Sequence, residues 1–223
     1  DLIDNYFTAL KTDLTLSGVT LQNGRCAAGT CVDGGGLMYG TNSTGTLTIT
    51  NSTITNNRVE VSATSTANNG GGIWSGQNDN VFTNITVSNN IGGFATGGCT
   101  NCGGEGGGVF AGISFGPDPT SLSITNSTFT GNHARTATTF GGRGGAWAGS
   151  PNSVNISGGT FTGNMADINA GALRVFTATT ITGATVSGNS AKQQGGGIYN
   201  DPLDNMNNPL TNTFTNLTMK GNV

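Results

Sequence analysis

The sequence predicts an all-β fold, a parallel β-helix (β-solenoid) of about seven coils. Three observations carry that expectation. The composition is hostile to helix: Gly occurs 39 times in 223 residues and charged residues make up 9%, while Gly, Thr and Asn are poor helix formers. One short unit recurs along the chain with apolar and Ser/Thr residues alternating at period two, which is a strand pattern. The distance between copies leaves no room for a helix in each crossover, so consecutive strands must stack in parallel, each on its copy one coil on.

The copies are LTLSGVTLQNG (14–24), LTITNSTITNN (47–57), VFTNITVSNN (81–90), LSITNSTFTGN (122–132), VNISGGTFTGN (154–164), ITGATVSGN (181–189) and TFTNLTMKGN (213–222). They align without internal gaps. A first apolar column holds Leu16, Ile49, Phe82, Ile124, Ile156, Ile181 and Phe214. Five residues on, a second holds Leu21, Ile54, Val87, Phe129, Phe161, Val186 and Met219. Copies follow at intervals of 33, 33, 42, 32, 25 and 33 residues. The variation falls between units, as in a solenoid with loops on one or two edges. Stacking at ~4.8 Å per coil gives a rod about 30–35 Å long.

Three residues beyond the second apolar column stand Asn57, Asn90, Asn132, Asn164, Asn189 and Asn222, with Gly24 in the first copy. An amide is both donor and acceptor, so these side chains are expected to form a structural ladder along the axis. Between the units lies a second motif: GGGL (34–37), GGGI (70–73), GGGV (106–109), GGAW (144–147), AGAL (170–173) and GGGI (195–198). The residues after it, Met38, Trp74, Phe110, Ala148, Arg174 and Tyr199, form a mixed outward column whose aromatics could stack on sugars or a partner.

The pair of motifs resembles the repeat of the chlamydial-type polymorphic outer membrane proteins, GG[AG][ILV] with FxxN. FTGN at 129–132 and 161–164 matches fully, and ITNN, VSNN, VSGN and MKGN keep the Asn. The resemblance runs over nearly all of the chain beyond residue 14. It implies a right-handed parallel β-helix, secreted or exposed at the cell surface, with a structural or adhesive use.

The four cysteines fall in two close pairs, Cys26 with Cys31 and Cys99 with Cys102. No thioredoxin-like context surrounds them, so two local loop disulfides formed in an oxidising compartment are expected. Asp1 opens no signal peptide, which fits a removed leader or an excerpt of a longer protein. Net charge is −3 with no basic run, which argues against nucleic acid as a partner. No apolar stretch approaches ~18 residues, so no transmembrane helix is expected.

Catalytic and metal residues are not expected, nor a cofactor. With one His and few acids, acid/base chemistry lacks parts. Gly112–Gly116 matches GxSxG but precedes PDPT rather than a helix. The loop 200–212, with Asp201 and Asp204, lacks the spacing of a calcium loop. A polysaccharide-acting β-helix enzyme therefore remains an alternative without a named acid/base pair.

A further alternative is ice binding. Thr20, Thr53, Thr86, Thr128, Thr160, Thr185 and Thr218 occupy one outward column, and Thr55, Thr130 and Thr162 share the next with Gln22, Ser88, Ser187 and Lys220. Such a Thr-x-Thr surface is a candidate ice or lateral contact face; Thr is also simply a good outward strand residue. The longest insertions, near 25–35, 58–70, 91–106 and 133–143, share one edge and suggest a contact surface. Six N-x-[ST] triplets begin at Asn42, Asn51, Asn84, Asn126, Asn155 and Asn216.

Residues 1–13 are read as an N-terminal extension or inter-subunit segment, and 14–223 as the β-helix domain. The expected function is a non-catalytic extracellular rod. Its expected partners are itself, stacked head to tail into a filament, or a cell-surface or glycan ligand.

Overall fold

A computed structural model describes residues 3–5, 13–27, 33–40, 45–61, 69–76, 79–95, 103–113, 120–136, 141–200 and 209–223. These residues wind into a right-handed parallel β-helix of about seven coils with four sheets and no helix. Sheet 1 runs from Ile3–Asn5 through Leu37–Tyr39, Ile73–Ser75, Val109–Ile113, Trp147–Ser150 and Leu173–Val175 to Ile198–Asn200. Sheet 2 begins at Leu14–Ser17 and Thr46–Thr50 and ends at Thr213–Thr215; sheet 3 begins at Thr20–Gln22 and Thr53–Thr55 and ends at Thr218–Lys220. Sheet 4 comprises Arg25–Cys26, Arg58–Val61, Ile91–Ala95, His133–Ala134, Met165–Ala166 and Ser190–Ala191. Every strand pairing is parallel, between a strand and its copy in the next coil.

Each repeated unit is two strands rather than one. In a single strand, residues five apart face opposite sides, yet both apolar columns point inward. A corner between sheets 2 and 3 resets the phase. Its residue is Gly18, Asn51, Asn84, Asn126, Gly158, Gly183 or Asn216, each left-handed with φ from 46° to 69°. Only Gly, and Asn at lower cost than most, adopts that region readily. The corner N–H continues the ladder, as when Asn51 donates to Thr83 O at 3.1 Å. A second left-handed corner, Asn23, Asn56, Asn89, Gly131, Gly163, Gly188 and Gly221, leads from sheet 3 into sheet 4.

Register is continuous through the core. Ile49, Phe82, Ile124, Ile156 and Ile181 stack in sheet 2 and are wholly buried. Ile54, Val87, Phe129, Phe161 and Val186 do the same in sheet 3, where the rings of Phe129 and Phe161 stack at 5.0 Å. Sheets 2 and 3 pair without a shift. Irregularities occur in sheet 4 at Ile91/Phe94 and in sheet 1 at Phe110/Ile113.

The asparagine column lies inside the rod. Asn57, Asn90, Asn132, Asn164 and Asn189 are fully buried. Asn132 shows the pattern: its Nδ2 donates to Asn164 Oδ1 and to Val87 O, both at 2.9 Å, while its Oδ1 accepts from Asn90 N–H at 3.1 Å and Asn90 Nδ2 at 2.9 Å. All four hydrogen-bonding positions of the amide are used. Gly24 N–H caps one end of the ladder on Asn57 Oδ1, and Asn222 closes the other on Asn189.

The GG motif crosses beneath this ladder, backbone against backbone. A Cβ on Gly71 would sit 2.3 Å from Gly107 O, so the motif is set by steric exclusion. The column after it departs from expectation. Met38, Trp74, Phe110 and Ala148 point away from the main core but are buried in a second apolar cluster. Trp74 and Phe110 are therefore not an open sugar-stacking surface; Tyr199 is half-buried.

Residues 3–5 pair in register with Leu37–Tyr39. This part of the 1–13 segment is thus the first rung of sheet 1 in its own chain.

The ladder makes a direct prediction. Asn132→Leu leaves two donors of Asn90 without an acceptor and strips donors from Val87 O and Asn164 Oδ1. Unfolding in urea should show a loss of about 3–5 kcal/mol. The same change at half-buried Asn222 should cost less, since water can replace the lost partner.

Candidate functional site

Backbone register carries the threonines into lines. Thr20, Thr53, Thr86, Thr128, Thr160, Thr185 and Thr218 are consecutive partners along sheet 3. Thr20 and Thr218 are exposed, whereas Thr53, Thr55, Thr86, Thr128, Thr130, Thr160, Thr162 and Thr185 are half-buried by the rungs on either side. Hydroxyls in the second row bond along the axis, with Ser88 donating to Thr55 at 2.8 Å. Sheet 2 adds a row that the sequence reading passed over: Ser17, Thr50, Thr83, Thr125, Ser157, Thr182 and Thr215. It was detectable as the position just after the first apolar column.

The N-x-[ST] triplets at Asn51, Asn84, Asn126 and Asn216 have a geometric origin. Each Asn is a left-handed corner residue, and the Thr two positions on belongs to the outward column of sheet 3. Asn155 is exposed on sheet 2, and Asn42 lies outside the described residues.

Sheet 4 is a cationic face. Arg25, Arg58, Arg135 and Lys192, half of the chain's eight Lys and Arg, lie on or directly after its strands with the only His. The acids there are Glu60 and Asp167. Glu60 is buried and receives Arg25 at 2.7 and 2.8 Å and Arg58 at 2.9 Å; the hydrogen bond from Arg25 holds its carboxyl below the usual range. Phe94 is sandwiched by two guanidiniums, Arg58 at 5.6 Å and Arg135 at 5.0 Å from its ring centre. This face has no linear signature. Its cations recur one per coil or two, next to the Asn column, so a search for basic runs misses them.

Farther along sheet 4 a groove of about 470 Å³ opens over His133, Arg135, Asp167, Ser190 and Lys192. Asp167 Oδ1 lies 3.1 Å from His133 Nε2 and 2.9 Å from Lys192 Nζ, and its Oδ2 accepts from Thr136 N–H at 3.0 Å. Burial opposes its ionisation, but these partners outweigh burial and hold the carboxyl well below its ordinary value.

The predicted loop edge near 25–35, 58–70, 91–106 and 133–143 begins as the strands of sheet 4. The parts at 28–32, 62–68, 96–102 and 137–140 lie outside the described residues, as do Ser114, Asp201 and Asp204. Cys26 is fully buried and is not a free thiol. Cys31, Cys99 and Cys102 lie outside the described residues, and with them the predicted pairings.

A second polar line runs beside the GG motif. Asp33 Oδ1 accepts Asn69 N–H at 2.6 Å, and Asn69 Oδ1 accepts Glu105 N–H at 2.8 Å. Glu105 is clamped by Arg143 at 3.0 Å and by Arg174 at 2.6 Å, the latter lying over the Phe176 ring.

Burial pushes the Asp33 carboxyl up to about 7, against the opposing hydrogen bond from Asn69. The unfolded chain releases this proton near pH ~4. The folded chain holds it to about pH 7, so this contribution to stability is full below pH ~4 and is lost as pH rises toward neutrality. Asp33→Asn keeps an acceptor for Asn69 and should flatten that part of the stability profile in denaturation at pH 4.5, 6 and 7.5.

Comparison with protein-family models, with curated proteins and with solved structures finds no match for this chain.

Proposed function

We propose that this chain is a non-catalytic, extracellular or cell-surface β-solenoid with a structural or adhesive role. The observation that carries the reading is the unshifted register of sheets 2 and 3, which makes a stiff rod whose side faces repeat once per coil. A repeating face suits contact with another repeating surface, and the cationic sheet 4 offers a chemically distinct one. Its partners in this reading are a cell-surface or glycan ligand, or a second copy stacked end to end. Stacking, or further coils of the same solenoid, would cover Phe214 and Met219, both exposed on the last rung. The pairs Cys26–Cys31 and Cys99–Cys102 fit this reading as loop disulfides formed outside the cytoplasm.

Beads coated with the chain should attach to glycan-bearing cell surfaces more than beads coated with Asn132→Leu. Equal attachment removes the adhesive part of the proposal. Light scattering over a concentration series addresses the structural part, and strictly monomeric behaviour removes end-to-end assembly.

The seven-rung threonine line favours one second reading, ice binding by sheet 3. In that case the chain shows thermal hysteresis, and Thr53→Tyr with Thr128→Tyr abolishes it. Absence of hysteresis in the unaltered chain ends this reading.

A further inference from the structure

We propose that the groove on sheet 4 binds a carboxylated polysaccharide, its chain laid along the solenoid axis over Arg135, Asp167 and Lys192. This inference rests on the adhesive reading above and names its ligand class. The groove's volume, about 470 Å³, lies in the range of small-molecule sites, and its lining suits an acidic sugar on three counts.

The first is charge. The chain as a whole carries −3, yet four of its fixed cations lie on this face: Arg25 and Arg58 pair with Glu60, and Arg135 and Lys192 line the groove. Arg135 has no ion pair among the described residues; its guanidinium is instead steadied against the Phe94 ring. A fixed planar fork with free donors is matched by a carboxylate, which can take two parallel hydrogen bonds. Lys192 is 70% exposed at its side chain and can reach the same ligand while touching Asp167.

The second is the carboxylate among the cations. Asp167 is held ionised by His133, Thr136 N–H and Lys192, and Ser190 lines the groove beside it. A sugar acid brings hydroxyl donors as well as negative charge, and these groups accept them. A polyphosphate brings no hydroxyl donors to Asp167, and a sulfated chain has fewer of them than a polyuronate. Phe94 offers no free ring for a nucleobase, since Arg58 and Arg135 flank it.

The third is spacing. Arg135 and Lys192 stand two coils apart in one line, with Asp167 on the coil between them, which puts the two cations about 10 Å apart along the axis. An extended polyuronate chain with two-fold screw symmetry turns its carboxylates to one side at every second sugar, the same alternation.

The test is titration calorimetry of the full chain with hexagalacturonate, its methyl ester, a dextran sulfate of similar length and an oligothymidylate. Hexagalacturonate should bind, and methylation should weaken it at least about ten-fold, as should Arg135→Gln or Lys192→Gln. Lys220→Gln, on sheet 3, should leave binding unchanged. Circular dichroism of Lys192→Gln, a change at an exposed side chain, separates lost binding from lost fold. Equal binding of the ester, wild-type affinity in both groove variants, equal or tighter binding of dextran sulfate or oligothymidylate, or no binding of hexagalacturonate overturns the inference. Bead attachment that persists without hexagalacturonate binding leaves the adhesive reading standing and removes this one alone.

Discussion

Vertical stacking of like on like is the constraint on which this structure depends. The strands of sheets 2 and 3 are three to five residues long, too short to be stable alone. They persist because each lies between two copies of itself, and because a buried amide ladder links the coils side chain to side chain. A ladder in which every donor and acceptor is matched has little tolerance for slippage. Moving one coil by a residue would bury unpaired amide groups from several rungs at once.

The same stacking accounts for where glycine and asparagine are needed. Corners must turn the chain within one residue while their N–H groups remain in the ladder, and only a left-handed residue does so here. Asn and Gly share the two corner columns, whereas the crossing beneath the ladder has no space for a Cβ at Gly71. Four of the six apparent glycosylation triplets follow from this geometry, since a corner Asn precedes an outward Thr by two positions. They record the demands of the turn whether or not a sugar is ever attached.

Surface chemistry divides by face. Sheets 2 and 3 present hydroxyls with almost no charge, sheet 1 hides a second apolar cluster, and sheet 4 concentrates the cations. Register slips occur in sheets 1 and 4, next to the longest insertions. Regularity has been kept where the surface is uniform and given up where side chains of particular chemistry are placed. Four fixed cations there meet two carboxylates, Glu60 and Asp167, which leaves the face with its positive sign.

The parallel coil, the inward apolar columns, the amide ladder and the threonine line are all legible in the linear chain. Each is a pattern of period two repeated at intervals, and such a pattern states both strand and stacking. The split of each unit into two strands was half visible, in a five-residue spacing that a single strand cannot accommodate. Tertiary structure alone decided that Trp74 and Phe110 are covered, and that Ile3–Asn5 is the first rung. It also brought Arg58, Phe94 and Arg135 into one stack. The physical reason is common to these cases. Burial of an outward residue depends on what lies over it, and an electrostatic face depends on distance across coils. A coil rises only ~4.8 Å while the chain runs on for 25–42 residues, so side chains that meet in that direction without repeating in type are far apart in the linear order.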